Sequence, residues 1–70
     1  MDLIQSKVRL IVQRIRERRI ELKYTQNYVA RKLNISQNAY SKIESGLTNF
    51  SVERLYEIAE VLQTDVKNLV

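Results

Sequence analysis

The chain has no cysteine, histidine, proline or tryptophan, and Gly46 is the only glycine among its 70 residues. Without cysteine there are no disulfides and no thiolate ligands. Without histidine there is no imidazole to bind a metal or act as a general base. Zinc and iron–sulfur sites of the usual ligand types, and nucleophiles that rely on an imidazole, are therefore excluded. One glycine cannot build a glycine-rich phosphate loop. No apolar run approaches the roughly 18 residues that span a bilayer, and no signal-peptide apolar region opens the chain, so a soluble, cytoplasmic protein is expected. The carboxylates lie scattered along helical faces; no cofactor and no enzymatic activity are expected.

What is present is a globular balance, 44% hydrophobic and 29% charged, enough for one small core. A chain of this length forms a single domain and buries only about 60% of its unfolded surface. The net charge of +4 is unevenly spread. Residues 1–42 carry ten Lys or Arg against Asp2, Glu17 and Glu21, whereas residues 43–70 carry Arg54 and Lys67 against Glu44, Glu53, Glu57, Glu60 and Asp65. Such a split fits a molecule with one side turned to a polyanion; it fits equally a long helix solvated by its cations.

β-Branched residues recur at helical spacing and no proline interrupts them, so the chain reads as all-α with five helices. The first runs from about Leu3 to Leu22, with Asp2 as N-cap and Gln5 three residues on, the spacing of a capping box. Its inward stripe is Ile4, Val8, Ile11, Ile15 and Leu22, interrupted by Arg18, whose stem can be buried while its head reaches solvent. Thr25 caps the second helix, with Tyr24 placed to staple onto Val29 and with Val29, Ala30 and Leu33 inward. Asn34 stands at a sharp turn, where it tolerates a left-handed backbone. Ser36 caps the third helix, with Ala39, Tyr40 and Ile43 inward and Gln37, Asn38, Ser41 and Lys42 outward. Gly46 ends that helix. Ser51 caps a fourth, with Val52, Leu55, Ile58, Ala59 and Leu62 on one face, and Asp65 caps a final short turn bearing Val66 and Leu69.

Two short helices joined by a tight turn across residues 25–46 form a helix-turn-helix. Gln26, Ala30, Ile35, Ile43, Glu44 and Gly46 stand at the spacing of the lambda-repressor-like, Cro-type (xenobiotic-response-element type) helix-turn-helix family, which the chain resembles over roughly residues 15–69. The resemblance implies a five-helix DNA-binding domain over residues 15–70, with residues 1–14 as a helical extension continuous with helix one. It also implies an ion pair between Arg19 and Glu44; the bland reading leaves both as ordinary surface charges. Ala30 must be small because helices two and three cross closely there. The chain departs from the family at Lys23 and Asn34, where glycine is usual, at Phe50, where proline is usual, and at Arg18, where an aliphatic residue is common. Phe50 and Leu47 are expected to alter the loop and to add apolar surface.

In this fold the third helix lies in the major groove. Gln37 and Asn38 are the expected base readers, since an amide presents a donor beside an acceptor and matches adenine N6 and N7. Lys42 suits guanine or a phosphate, and Ser41 either; the competing reading is a merely solvated helix face. Phosphate contacts are expected from Thr25, Gln26, Asn27, Ser36 and Asn49, assisted by Arg31 and Lys32. Tyr28 either meets a phosphate or covers apolar surface, and Tyr40 belongs to the core.

One such domain reads few base pairs, so the resemblance implies a homodimer on a palindromic or near-palindromic operator. Leu47, Phe50, Val66, Leu69 and Val70 are the candidate seam, unless Val66 or Leu69 finishes the monomer core. Residues 1–14 are expected to cover the fifth helix, a partner subunit or, less simply, an anionic membrane surface. The expected function is sequence-specific regulation of transcription by a repressor, a restriction-modification controller or an antitoxin with a toxin partner. The alternative is a protein-interaction module that uses the apolar C-terminal surface.

Overall fold

The computed structural model describes the backbone of residues 3–70 and the side chains of residues 6–70. The expected cap at Asp2 and the side chains of Ile4 and Gln5 lie outside that range. Four α-helices follow one another: α1 Leu3–Glu21, α2 Gln26–Lys32, α3 Gln37–Glu44 and α4 Val52–Val61. The expected fifth helix is a single 3₁₀ turn, Val66–Asn68, and Asp65 before it makes no side-chain cap bond. Three residues leave too little helix for a cap to stabilise.

The starts of α2, α3 and α4 share one device. Thr25 Oγ1 accepts the N–H of Tyr28, Ser36 Oγ that of Ala39, and Ser51 Oγ that of Arg54, each at 3.0 Å. All three caps satisfy a donor that the helix itself leaves unpaired.

The ends share another. At Lys23, Asn34, Gly46 and Gln63 the backbone turns left-handed, with φ of 61°, 59°, 73° and 54°. Each donates its N–H three residues back, and the following residue donates five back: Tyr24 to Arg19, Ile35 to Ala30, Leu47 to Lys42, Thr64 to Ala59. This doubled bond is the Schellman motif, repeated at every helix end, although only one of the four positions holds glycine.

The core joins Ile15 of α1 to Val29, Ala30 and Leu33, to Tyr40 and Ile43, to Leu55, Ile58, Ala59 and Leu62, and to Leu69. Helix α3 packs against both α1 and α2, which fixes its inward face. Several inward assignments need correction. Val12 is buried while Val8 is 39% exposed, so the buried stripe of α1 runs through Ile11, Val12 and Ile15. Val52 is 72% exposed, so the buried face of α4 begins at Leu55. Phe50 turns inward onto the core, whereas Leu47 remains 78% exposed. Leu69 is buried at 2% exposure and Val66 packs beside it, so these two finish the monomer core and are largely withdrawn from any subunit seam.

Arg18 does more than shelter its stem. Its Nε donates to the Leu62 carbonyl at 2.9 Å and its Nη2 to that of Gln63 at 3.0 Å, while Nη1 pairs with Glu21 at 2.6 Å. A guanidinium placed at the C-terminus of α4 satisfies carbonyls that have no intrahelical partner and meets the negative end of the helix dipole. Arg14 donates to the Val70 carbonyl, after the final 3₁₀ turn, at 2.8 Å. An aliphatic residue at position 18 could pack there but would leave those carbonyls to water.

Candidate nucleic-acid interface

Helix α3 is amphipathic in a simple way. Tyr40 and Ile43 are buried, and Gln37, Asn38 and Lys42 are exposed with Ser41 half-buried beside them. Gln37, Asn38 and Lys42 make no side-chain bond to any other described residue, so their amides and ammonium are open to a ligand. Ser41 contributes its carbonyl to Ser45 Oγ at 2.8 Å and keeps its hydroxyl.

A buried ionic cluster holds this helix in place. Arg19 Nε lies 2.6 Å from Glu44 Oε2 and Nη2 lies 3.1 Å from Oε1, a two-point fork. The two side chains are 13% and 3% exposed, so the pair ties α1 to the last turn of α3 away from water. Arg19 Nη1 also donates to the Tyr24 carbonyl at 2.8 Å. Burial alone would raise the Glu44 pKa, but hydrogen bonds led by Arg19 outweigh it and hold the carboxyl below its ordinary value. The same bond raises the Arg19 pKa above its usual value. The Tyr40 hydroxyl is buried with no hydrogen-bond partner among the described residues. That burial, with the Glu44 charge beside it, pushes its pKa well above the ordinary phenol range.

Gln26 belongs to the same cluster. Its amide donates to Glu44 Oε1 at 3.3 Å and the residue is half-buried, which leaves its second N–H and its oxygen uncommitted. The covalent spacing along α2 did not reveal this bond, because the acceptor lies 18 residues away on another helix. Thr25 and Ser36 use their oxygens as cap acceptors, which leaves each O–H free to donate. Asn27 is exposed beside them, as is Asn49 in the loop after α3. Tyr28 packs its ring on Tyr24, centroids 4.5 Å apart, under the Lys32 ammonium at 5.5 Å; its body is thus used in packing. Among the described residues no cluster of carboxylates could hold a metal ion, and no helix is long and apolar enough to cross a membrane.

A family profile described as "Helix-turn-helix" matches residues 15–69 of the chain. The chain belongs to the lambda-repressor-like helix-turn-helix family. A curated relative, an "Uncharacterized transcriptional regulator in ATPase CF(0) region" from Rhodospirillum rubrum, is 37% identical over 54 residues. That stretch is 77% of this chain but 50% of the relative, so the chain spans about half the length of the curated relative it matches. No solved structure matches the chain. Within the family frame, the helix-turn-helix is α2 and α3 with the Asn34 turn between them, and the helical segment before residue 15 lies outside the matched region.

Proposed function

We propose that this helix-turn-helix protein is a sequence-specific, double-stranded DNA-binding transcriptional regulator that inserts α3 into the major groove. The observation that carries this reading is the exposed, unpartnered set Gln37, Asn38 and Lys42 on a helix whose other face is locked into the core. Base edges are read by amides and cations held in fixed register, and the Arg19–Glu44 fork supplies that register here. Gln37 and Asn38 read adenine edges, Lys42 a guanine or a phosphate, and Ser41 either. Thr25, Gln26, Asn27, Ser36 and Asn49 anchor the backbone, with the N–H groups at the start of α2 beside them. Residues 43–70, in which carboxylates outnumber cations, contribute Asn49 alone to these anchors.

The regulator acts as a homodimer on a palindromic or near-palindromic operator, in the role of repressor, restriction-modification controller or antitoxin. Leu47 and Val70, both more than half exposed, are the seam residues that stay available, with Val66 and Phe50 reaching them only at their edges. Exposed apolar Leu47 and Val52 also favour a second reading, a module that binds a partner protein such as a toxin. Salt separates the two. Binding through several phosphates weakens steeply as salt rises, whereas an apolar protein interface does not. Selection of bound sequences from a random duplex pool tests the leading reading; recovery of no enriched motif overturns it.

A further inference from the structure

The line of α3 through Gln37 and Ser41 leads to Ser45, which borders a cleft that the DNA-reading residues do not account for. One wall is the end of α3 and the loop after it, with Glu44, whose carboxylate is neutralised by Arg19, and Ser45, Gly46 and Asn49. The other is the N-terminal half of α1, with Arg9, Gln13 and Arg16. Their spacing, four residues and then three, stacks these three side chains along one face of α1. Gln13 donates to Glu17 at 3.3 Å, and Arg9 and Arg16 give this wall its positive charge. Arg16 is exposed and forms no ion pair with any described residue, and Asn49 opposite has neither its side chain nor its N–H engaged. Arg9 and Gln13 precede the family-matched segment, which begins at residue 15.

We infer that this cleft is a second phosphodiester site, in which Arg16 and Arg9 of α1, opposite Asn49, grip the DNA backbone beyond the C-terminal end of the recognition helix. The inference rests on the DNA-binding reading above. A groove floor followed by α3 must be bordered by a phosphate strand where the helix ends. A guanidinium offers that strand two parallel donors, while a phosphate keeps acceptors free for the Asn49 amide. The extension of α1 thereby enlarges the backbone footprint without adding base contacts, since it lies outside the helix that occupies the groove.

The test uses the full chain and its best duplex from the random pool, long enough to extend several base pairs past each α3. Affinity is measured across a salt series for the wild type, Arg16→Gln, Arg9→Gln and the double variant. Each lost phosphate contact lowers the slope of log K against log salt by about 0.9, so the double variant falls by about 1.8 while its ranking of operator sequences stays unchanged. Arg16→Lys restores most of the slope. Trimming the duplex ends removes the difference between wild type and variants, because the gripped phosphates are gone. Unchanged slopes in all variants overturn the inference while the DNA-binding reading stands; a changed sequence ranking overturns it too, by making these residues base readers. Failure of the wild type to bind any duplex overturns the DNA-binding reading itself.

Discussion

Glu44 is the residue on which the position of the reading helix depends most. It is nearly sealed from water and accepts from Arg19 and Gln26, so removing Arg19 strands a charge inside the protein. Breaking a buried pair from one side costs about 3–5 kcal/mol, a large part of the stability of a domain this size. Arg19→Met is therefore expected to lower the urea midpoint severely, and Glu44→Gln less so, because glutamine keeps one acceptor for the guanidinium. Equal, small effects below about 1 kcal/mol would mean that the pair is held in water after all. The pH dependence has a definite sign. The Glu44 pKa is lower folded than unfolded, so its contribution is complete above the unfolded value, about 4.3, and is lost as pH falls through the folded value. Wild type loses stability on acidification below about pH 5, and Glu44→Gln flattens that limb of the profile. Gln37→Ala, by contrast, leaves stability alone and relaxes preference at particular base pairs, by about 1–3 kcal/mol of discrimination. A uniform loss over all operators would make Gln37 a backbone contact.

At the scale of elements, the repeated helix ends carry stored cost. A residue other than glycine in the left-handed region costs roughly 1–2 kcal/mol, partly offset by the greater unfolded freedom of glycine. Lys23→Gly is thus expected to stabilise the domain by up to about 1 kcal/mol, which is several degrees in melting temperature for a chain of this length. Gly46→Ala acts in the opposite direction by a similar amount; a Cβ at Gly46 meets nothing within 4 Å, so the loss comes from the backbone alone. Melting curves of both variants check this, and a Lys23→Gly protein that melts lower than wild type would contradict it. The element starts were legible because capping is local: Thr25, Ser36 and Ser51 each bond a donor three residues away, within reach of any reading of the sequence. The left-handed turns at Asn34 and Gly46 were legible from residue type. Lys23 and Gln63 were not, since neither side chain advertises positive φ.

At the scale of the molecule, what escaped the sequence was set by distance along the chain. Arg18 looked like a flaw in an apolar stripe, yet its guanidinium caps carbonyls 44 and 45 residues away. The bond from Gln26 to a carboxylate of α3, 18 residues away, was not legible either. Val8 and Val12 could not be ranked from periodicity alone, because which of them is buried depends on where α3 and the following loop lie against α1. The exposed face of α3 was legible, as the complement of Tyr40 and Ile43. Assembly is argued at this scale as well. Leu47 and Val70 as the seam predict a dimer in sedimentation at micromolar concentration, dissociated by Leu47→Glu; a chain that stays monomeric on a palindromic duplex would contradict the two-fold arrangement. The central claim, that α3 reads sequence through its exposed polar side chains, is tested most directly by repeating the random-pool selection with Gln37, Asn38 and Lys42 changed together to alanine. The account predicts that wild type enriches a defined motif and that the triple variant, folded to the same melting temperature, does not. Recovery of the same motif by both proteins would contradict it.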